Sequence, residues 1–181
     1  MPDLPISKPV LAGKAVLRGE TIRLEALPEG HLLHVLGTTT SEELLAHLPV
    51  AGLKRSSVRP SGYRQWFIAG NEQLVQSQKR ALADALADRA FICDQSHGRI
   101  RILVSGQDAP RILNKGTAVD LHPSSFPEGR SAMTLFGHIS VQLTRTGMND
   151  FELTVLRSFA ESLYEELEAL ARAQGAEQLS L

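Results

Sequence analysis

The chain has 181 residues, 43% hydrophobic and 22% charged, with a formal net charge of −1. That balance excludes the basic footprint expected of a nucleic-acid or anionic-membrane binder. A single cysteine, Cys93, excludes an internal disulfide and fits a reducing compartment.

No segment approaches the ~20 apolar residues of a membrane span, and the N-terminal stretch holds no apolar run of signal-peptide length, so a cytoplasmic protein is expected. A chain this long can bury about 70% of its unfolded surface without a disulfide or metal. Residues 1–20 carry Pro2, Pro5 and Pro9 without steady periodicity. They read as an extended arm, disordered alone or laid across a neighbour, with 21–181 as a single α+β domain.

SEELLAHL reads as a short helix capped by Ser41, with Glu42 and Glu43 at the positive end of its dipole. Residues 52–62, GLKRSSVRPSG, form a polar, turn-rich connection. YRQWFIA is a strand stopped by Gly70-Asn71, with Trp66 in the core. A helix follows over 72–89, its stripe Leu74, Gln78, Leu82 and Leu86. AFIC is a short buried strand ending in a buried Cys93, and RIRILV alternates with Ile100, Ile102 and Val104 on one face. Asp108 caps a short helix with Pro110 in its first turn and Lys115-Gly116 at its end.

In HISVQLT, Ile139, Val141 and Leu143 alternate; in FELTVLR, Phe151, Leu153 and Val155 do, with the turn TGMND between. Ser158 and Glu161 form a capping box for a last helix with Phe159, Leu163, Leu167 and Leu170 on its apolar side. Glu165, Glu166 and Glu168 fall on its solvated side, which is no acid–base pair. Hairpins alternating with helices predict an α+β, two-layer ferredoxin-like sandwich, with an antiparallel sheet and helices on one face.

Catalytic motifs are sparse. No glycine-rich dinucleotide or phosphate loop occurs, and no nucleophile elbow. His31 and His34 are spaced to share a helix face, with Glu29 near, but no further ligand completes a metal set. Asp94, Ser96 and His97 in DQSHG sit too close along the chain to face one another as a triad, so turn chemistry is the reading.

The stretch CDQSHGRIRILVSGQDAPRILNKGTAVDLHPSSFPEG, then HISVQL and FELTVLRSFAESLYEELEALA, resembles the gamma subunit of heterotetrameric sarcosine oxidase. The phrases that carry it are S-G-x-D-A at Ser105, Gly106, Asp108 and Ala109, L-x-K-G at Leu113, Lys115 and Gly116, and D-L-H-P at 120–123. F-P-x-G at Phe126, Pro127 and Gly129 and R-S-F-A at 157–160 complete the set. Together they cover about residues 63–173. That family is in turn similar to the folate-binding domain of the glycine-cleavage aminomethyltransferase, so the resemblance implies the same α+β fold.

It implies a non-catalytic subunit of a complex that oxidises sarcosine to glycine, giving hydrogen peroxide and either formaldehyde or 5,10-methylenetetrahydrofolate. FAD, FMN, NAD, tetrahydrofolate and zinc would reside in partner subunits and none in this chain. Gly137–Gln142, where the aminomethyltransferase folate site carries an acidic residue, has no carboxylate here. Losing such a charged hydrogen-bond partner costs about 1.5–3 kcal/mol, so the folate site reads as lost. The expected partners are the folate-binding half of the alpha subunit, with beta and delta subunits in the complex.

The ten residues DLHPSSFPEG can be a rigid shape, because Pro123 and Pro127 hold His122 and Phe126 extended. They can equally be a pre-organised ledge for a partner. The candidate subunit interface is therefore Asp120, Leu121, His122, Pro123, Phe126, Pro127 and Arg157. Two alternatives stay open: a free-standing folate-dependent aminomethyl or one-carbon transferase, and a binding module of another complex.

Overall fold

A computed structural model describes residues 8–14 and 16–178. Two antiparallel sheets form the centre. The first holds β1 (Leu17–Arg18), β2 (Arg23–Ala26), β7 (Arg99–Ser105), β8 (Ser131–Phe136), β9 (Ile139–Gly147), β10 (Asp150–Leu156) and β11 (Glu177–Gln178). Their order is β11-β1-β2-β7-β10-β9-β8. The second holds β3 (His31–Gly37), β4 (Val58–Gly62), β5 (Gln65–Gly70) and β6 (Ala90–Asp94), in the order β4-β5-β3-β6. Among the described residues four α-helices accompany them: α1 (Ser41–His47), α2 (Gln76–Ala85), α3 (Ala109–Leu113) and α4 (Ala160–Arg172). No helix among the described residues is long and apolar enough to cross a membrane.

Alternation along the strands builds two main cores and a small third cluster of Leu32, Phe67 and Ala69. Ile100, Ile102, Val104, Val141, Leu143, Phe151, Leu153 and Val155 bury against Leu163, Tyr164, Leu167 and Ala171 of α4 and against Ile112 and Leu113 of α3. Each large side chain there contributes about 1.5–3 kcal/mol. The smaller core joins Leu33, Val35, Trp66 and Ile68 to Leu44 of α1 and Leu82 of α2. Each sheet thus carries helices on one outer face, as expected of a sandwich. Their inner faces meet, giving layers in the order helix, sheet, sheet, helix.

Several local expectations are corrected. The cap of α1 is Thr40, not Ser41: its hydroxyl accepts from Glu43 N at 3.2 Å while Glu43 returns a bond to Thr40 N at 3.0 Å. Asp108 stands at the N-cap of α3 as expected, but its side chain makes no capping bond: Thr21 donates to its carboxylate (2.5 Å) and Arg111 donates to the other oxygen (3.1 Å). The Ser158–Glu161 box does not form; a 3-10 turn over Arg157–Phe159 draws Ser158 into helical backbone and leaves Phe159 half-exposed. Residues 58–62 are a strand, and Pro60 is tolerated there because β4 is a sheet edge. β6 is not the buried strand expected of AFIC: Ala90 is buried, but Phe91 and Cys93 are exposed.

Residues 1–7 of the expected arm lie outside the described residues. Residues 8–14 lie on the chain's own body. Leu11 enters the larger core, Val10 N donates to Glu29 (3.0 Å) and Lys14 pairs with Glu165 (2.9 Å).

The two sheets are linked by the turn between β6 and β7. Asp94 Oδ1 accepts from both Ser96 N (3.0 Å) and Ser96 Oγ (2.5 Å), and Ser96 Oγ accepts from Leu32 N (3.0 Å). His97 is exposed, so DQSHG is a turn held by its own side chains. Burial pushes the Asp94 carboxyl up, but the Lys79 ammonium at 2.6 Å and the Ser96 bonds outweigh it and hold it at about 2. Its unfolded value is 3.8, so the lowered folded value adds stability above that pH, lost as pH falls toward 2. Asp94→Asn is expected to flatten the dependence of unfolding free energy on pH between about 4 and 2, read by urea titration at stepped pH. An unchanged slope would remove the ion pair from the account of acid stability.

Candidate functional site

The loop at 120–129 is anchored from both ends. Leu121 and Phe126 point into the larger core. His122 N donates to Asp120 Oδ1 (2.9 Å), and Ser125 N and Phe126 N both reach the His122 carbonyl (2.9 and 2.8 Å). Hydrogen bonds from Ser125 and from His122 N–H hold the Asp120 carboxyl below the usual range. Buried Arg145 braces the loop from β9: it donates to the carbonyls of Leu121 and Met148, and its guanidinium lies 4.6 Å from the Phe151 ring centroid. Gly129 N closes onto the Arg145 carbonyl at 2.8 Å. Of the seven interface candidates, Asp120, His122, Pro123 and Pro127 are exposed. Arg157 is occupied within the chain, donating to Glu29 (2.9 Å) and to the Lys8 carbonyl (2.9 Å).

The other marked phrases also hold the fold. Gly106 has a φ of +113°, and a Cβ there would come within 2.3 Å of the Thr21 carbonyl. Gly116 lies under the Phe136 ring, where a Cβ would meet carbon at 2.5 Å. Ala109, Leu113 and Ala160 are fully buried.

Between the two sheets lies a cleft that the sequence reading missed. Glu152 of β10 sits between Arg59 of β4 and Arg101 of β7, at 3.2 and 3.3 Å. Arg101 also donates to the Gly70 carbonyl (2.7 Å) and Asn71 Oδ1 (2.8 Å), and Gln142 of β9 donates to the Pro60 carbonyl (2.8 Å). These residues occupy the polar positions of alternating strands, which ordinarily face water. The available signal was opposite charge: Arg101 and Glu152 fall on neighbouring strands, in register with Thr154 and Leu103 respectively.

A cavity of about 510 Å³ opens beside this cluster, lined also by His31, Lys54 and Glu72. A second of about 600 Å³ lies between Lys54 and Arg55 on one side and Glu128 and Arg145 on the other. Burial pushes His31 below its usual pKa, and its Nδ1 lies 2.7 Å from the Glu72 carbonyl. A carbonyl only accepts, so the neutral ring carries its proton on Nδ1.

His31 and His34 do not form a metal pair. They lie on β3, where a spacing of three places them on opposite faces, and His34 packs 4.5 Å from the Phe67 ring. Glu29 is engaged by Arg157. Among the described residues, no group of three or more His, Cys, Asp or Glu could hold a metal ion. The Gly137–Gln142 stretch forms the β8–β9 turn and the start of β9. Its Ile139, Val141 and Gln142 are buried, and it offers no acidic side chain to a folate.

Comparison with known proteins gives this architecture a place. A solved heterotetrameric sarcosine oxidase from Corynebacterium sp. U-96, in complex with pyrrole 2-carboxylate, contains a chain that superposes with a TM-score of 0.79. The match covers 96% of this chain and 99% of that one at 22% identity. The glycine cleavage system aminomethyltransferase T from Bartonella henselae superposes with a TM-score of 0.59 at 18% identity, over 81% of this chain and 45% of that one. At those identities the likeness is one of fold. A curated sarcosine oxidase subunit gamma from Corynebacterium sp. (strain P-1) is 35% identical over 81 residues, 44% of this chain. The chain spans 40% of that relative's length. The model of the sarcosine oxidase, gamma subunit family matches residues 43–172, and the chain belongs to that family.

Proposed function

We propose that this chain is the non-catalytic gamma subunit of a cytoplasmic, heterotetrameric sarcosine oxidase that converts sarcosine to glycine. The observation that carries the reading is the family match over 43–172, and the superposition over nearly all of a chain from a heterotetrameric sarcosine oxidase supports it. The polar side chains of the cleft and turn are engaged within the chain. Glu152 is shared by two guanidiniums, Ser96 by Asp94 and Leu32 N, and the His31 proton by a carbonyl. Flavin, NAD, folate and zinc chemistry would then belong to alpha, beta and delta. The exposed lip of the loop at Asp120, His122, Pro123 and Pro127 would rest on the folate-binding half of alpha.

The test is capture of the tagged chain at native level from its own organism. Large flavoprotein subunits in near-equal amount are expected; recovery of the chain alone would overturn the reading. Titration of the purified chain with 5-formyltetrahydrofolate separates the transferase alternative, and no saturable binding is expected.

In a structural subunit the cleft carboxylate acts on stability. Glu152→Ala leaves two buried guanidiniums without their counter-charge, at an expected cost of about 3–5 kcal/mol in chemical denaturation. Complex activity should fall only in proportion to folded subunit. A loss of activity at unchanged stability would instead mark Glu152 as a reacting group.

A further inference from the structure

We infer that a partner subunit docks by adding an extended strand to the open edge of β6, and that Arg99 beside that edge receives a carboxylate from the same partner. The inference rests on the subunit reading above and names a surface within it.

Among the described residues β6 ends its sheet and pairs only with β3. Gln95 N donates to the Leu32 carbonyl at 2.8 Å and Thr38 N to the Arg89 carbonyl at 2.7 Å. Backbone groups alternate between those two points, so Phe91 and Cys93 turn theirs toward β3 while Ile92 and Asp94 turn theirs outward. Among the described residues nothing bonds to those outward N–H and C=O groups. Edges of this kind are normally blunted by proline, lysine or a bulge. β4 at the opposite edge carries Pro60 and a bulge, whereas β6 reads AFICD and has neither.

The side chains around the edge point the same way. Phe91 is 83% exposed, and Leu156 is 42% exposed on the inner face of the larger sheet. Arg99 is registered with Leu156, and its guanidinium lies 4.9 Å from the ring centroid of Phe67. Phe67 pairs with His34, which pairs with Cys93 of β6, so the path from edge to Arg99 is continuous. Arg99 Nε is buried without a hydrogen-bond partner, and among the described residues no carboxylate pairs with this half-buried cation. A stacked guanidinium is suited to receive a carboxylate in bidentate fashion.

These features fix the occupant's chemistry. Outward N–H and C=O groups on alternate residues are satisfied by an extended backbone, with neighbouring side chains setting specificity. An apolar side chain suits Phe91, and a carboxylate suits Arg99. A five-residue edge with its flanking side chains falls well short of the ~1,200 Å² of a stable stand-alone interface. The strand is therefore one part of a wider contact with a larger partner, not the basis of a dimer of this chain.

The experiment compares deuterium uptake by peptides spanning 90–96 in the free chain and in the captured complex, with capture repeated for Phe91→Asp, Arg99→Glu and the control Arg80→Ala on α2. Expected are uptake slowed about tenfold or more in the complex, and recovery of partner reduced about tenfold or more by the first two variants. Arg80→Ala should recover partner as wild type does, and circular dichroism and melting of all three variants should match wild type. Equal uptake in both states, or undiminished recovery by both Phe91→Asp and Arg99→Glu, overturns the surface while leaving the subunit reading intact. Protection that grows with concentration of the chain alone overturns it in favour of a second copy. Failure of the wild-type chain to recover a flavoprotein overturns the subunit reading and this inference with it.

Discussion

One carboxylate held between two guanidiniums decides how the sheets sit on each other. Glu152 reaches Arg59 on the smaller sheet and Arg101 on its own. Each sheet already has an apolar core under its helices, and the inner faces meet through these buried polar groups beside a small apolar cluster of Leu32, Phe67 and Ala69. Burying three charges carries a desolvation penalty that a well-packed apolar layer would avoid, and such clusters add little net stability. They do penalise misalignment heavily: sliding one sheet over the other would strand at least one buried ion. The cluster thus fixes register between two units that could otherwise pack in several ways, and the cleft and the β6 edge take their positions from that register.

The same cluster explains which parts of the fold were legible in the sequence. The alternating apolar positions of β7 (Ile100, Ile102, Val104), β9 (Ile139, Val141, Leu143) and β10 (Phe151, Leu153, Val155) are read as core from alternation alone, and they are buried. Trp66 and the DQSHG turn were also read as found. Alternation leaves the intervening polar positions to water, and there it fails, because Arg101, Gln142, Thr144, Glu152 and Thr154 are buried. A period of two reports that two faces differ, not what covers the second face. β3 escaped notice because LLHVLG reads equally as helix, and β8 because only Phe136 of its six residues is buried. Ser41 lies one residue after the true cap Thr40, and Asp108 holds the N-cap position of α3 while its carboxylate goes to Thr21 and Arg111.

The phrases by which the family was recognised prove to be braces. Gly106 and Gly116 allow close approach of Thr21 and Phe136, Arg157 ties β10 to Glu29 and Lys8, and Leu121 and Phe126 plug the 120–129 loop into the core. Short specific phrases commonly suggest a site. Here they mark places where the backbone must pass close to itself, and a fold with two sheets and tight crossings has many of those. The loop's rigidity follows from Arg145 and its own turns, whether or not a partner rests on the exposed lip.

The two regions of the seam between the sheets differ in a way that bears on assembly. Around Glu152 every guanidinium has a carboxylate, and the polar face is closed within the chain. Around Arg99 a guanidinium of the same inner face lies on Phe67, and among the described residues it has no carboxylate and the nearby edge of β6 has no neighbouring strand; Leu156 beside it is exposed. A desolvated cation without a counter-charge and a strand edge without a neighbour each raise the free energy of the isolated chain. Both defects fall on one side of the molecule, and one acidic, extended segment would relieve both. A chain that completes its interior at one part of the seam and leaves it incomplete at the other has the chemistry of a subunit.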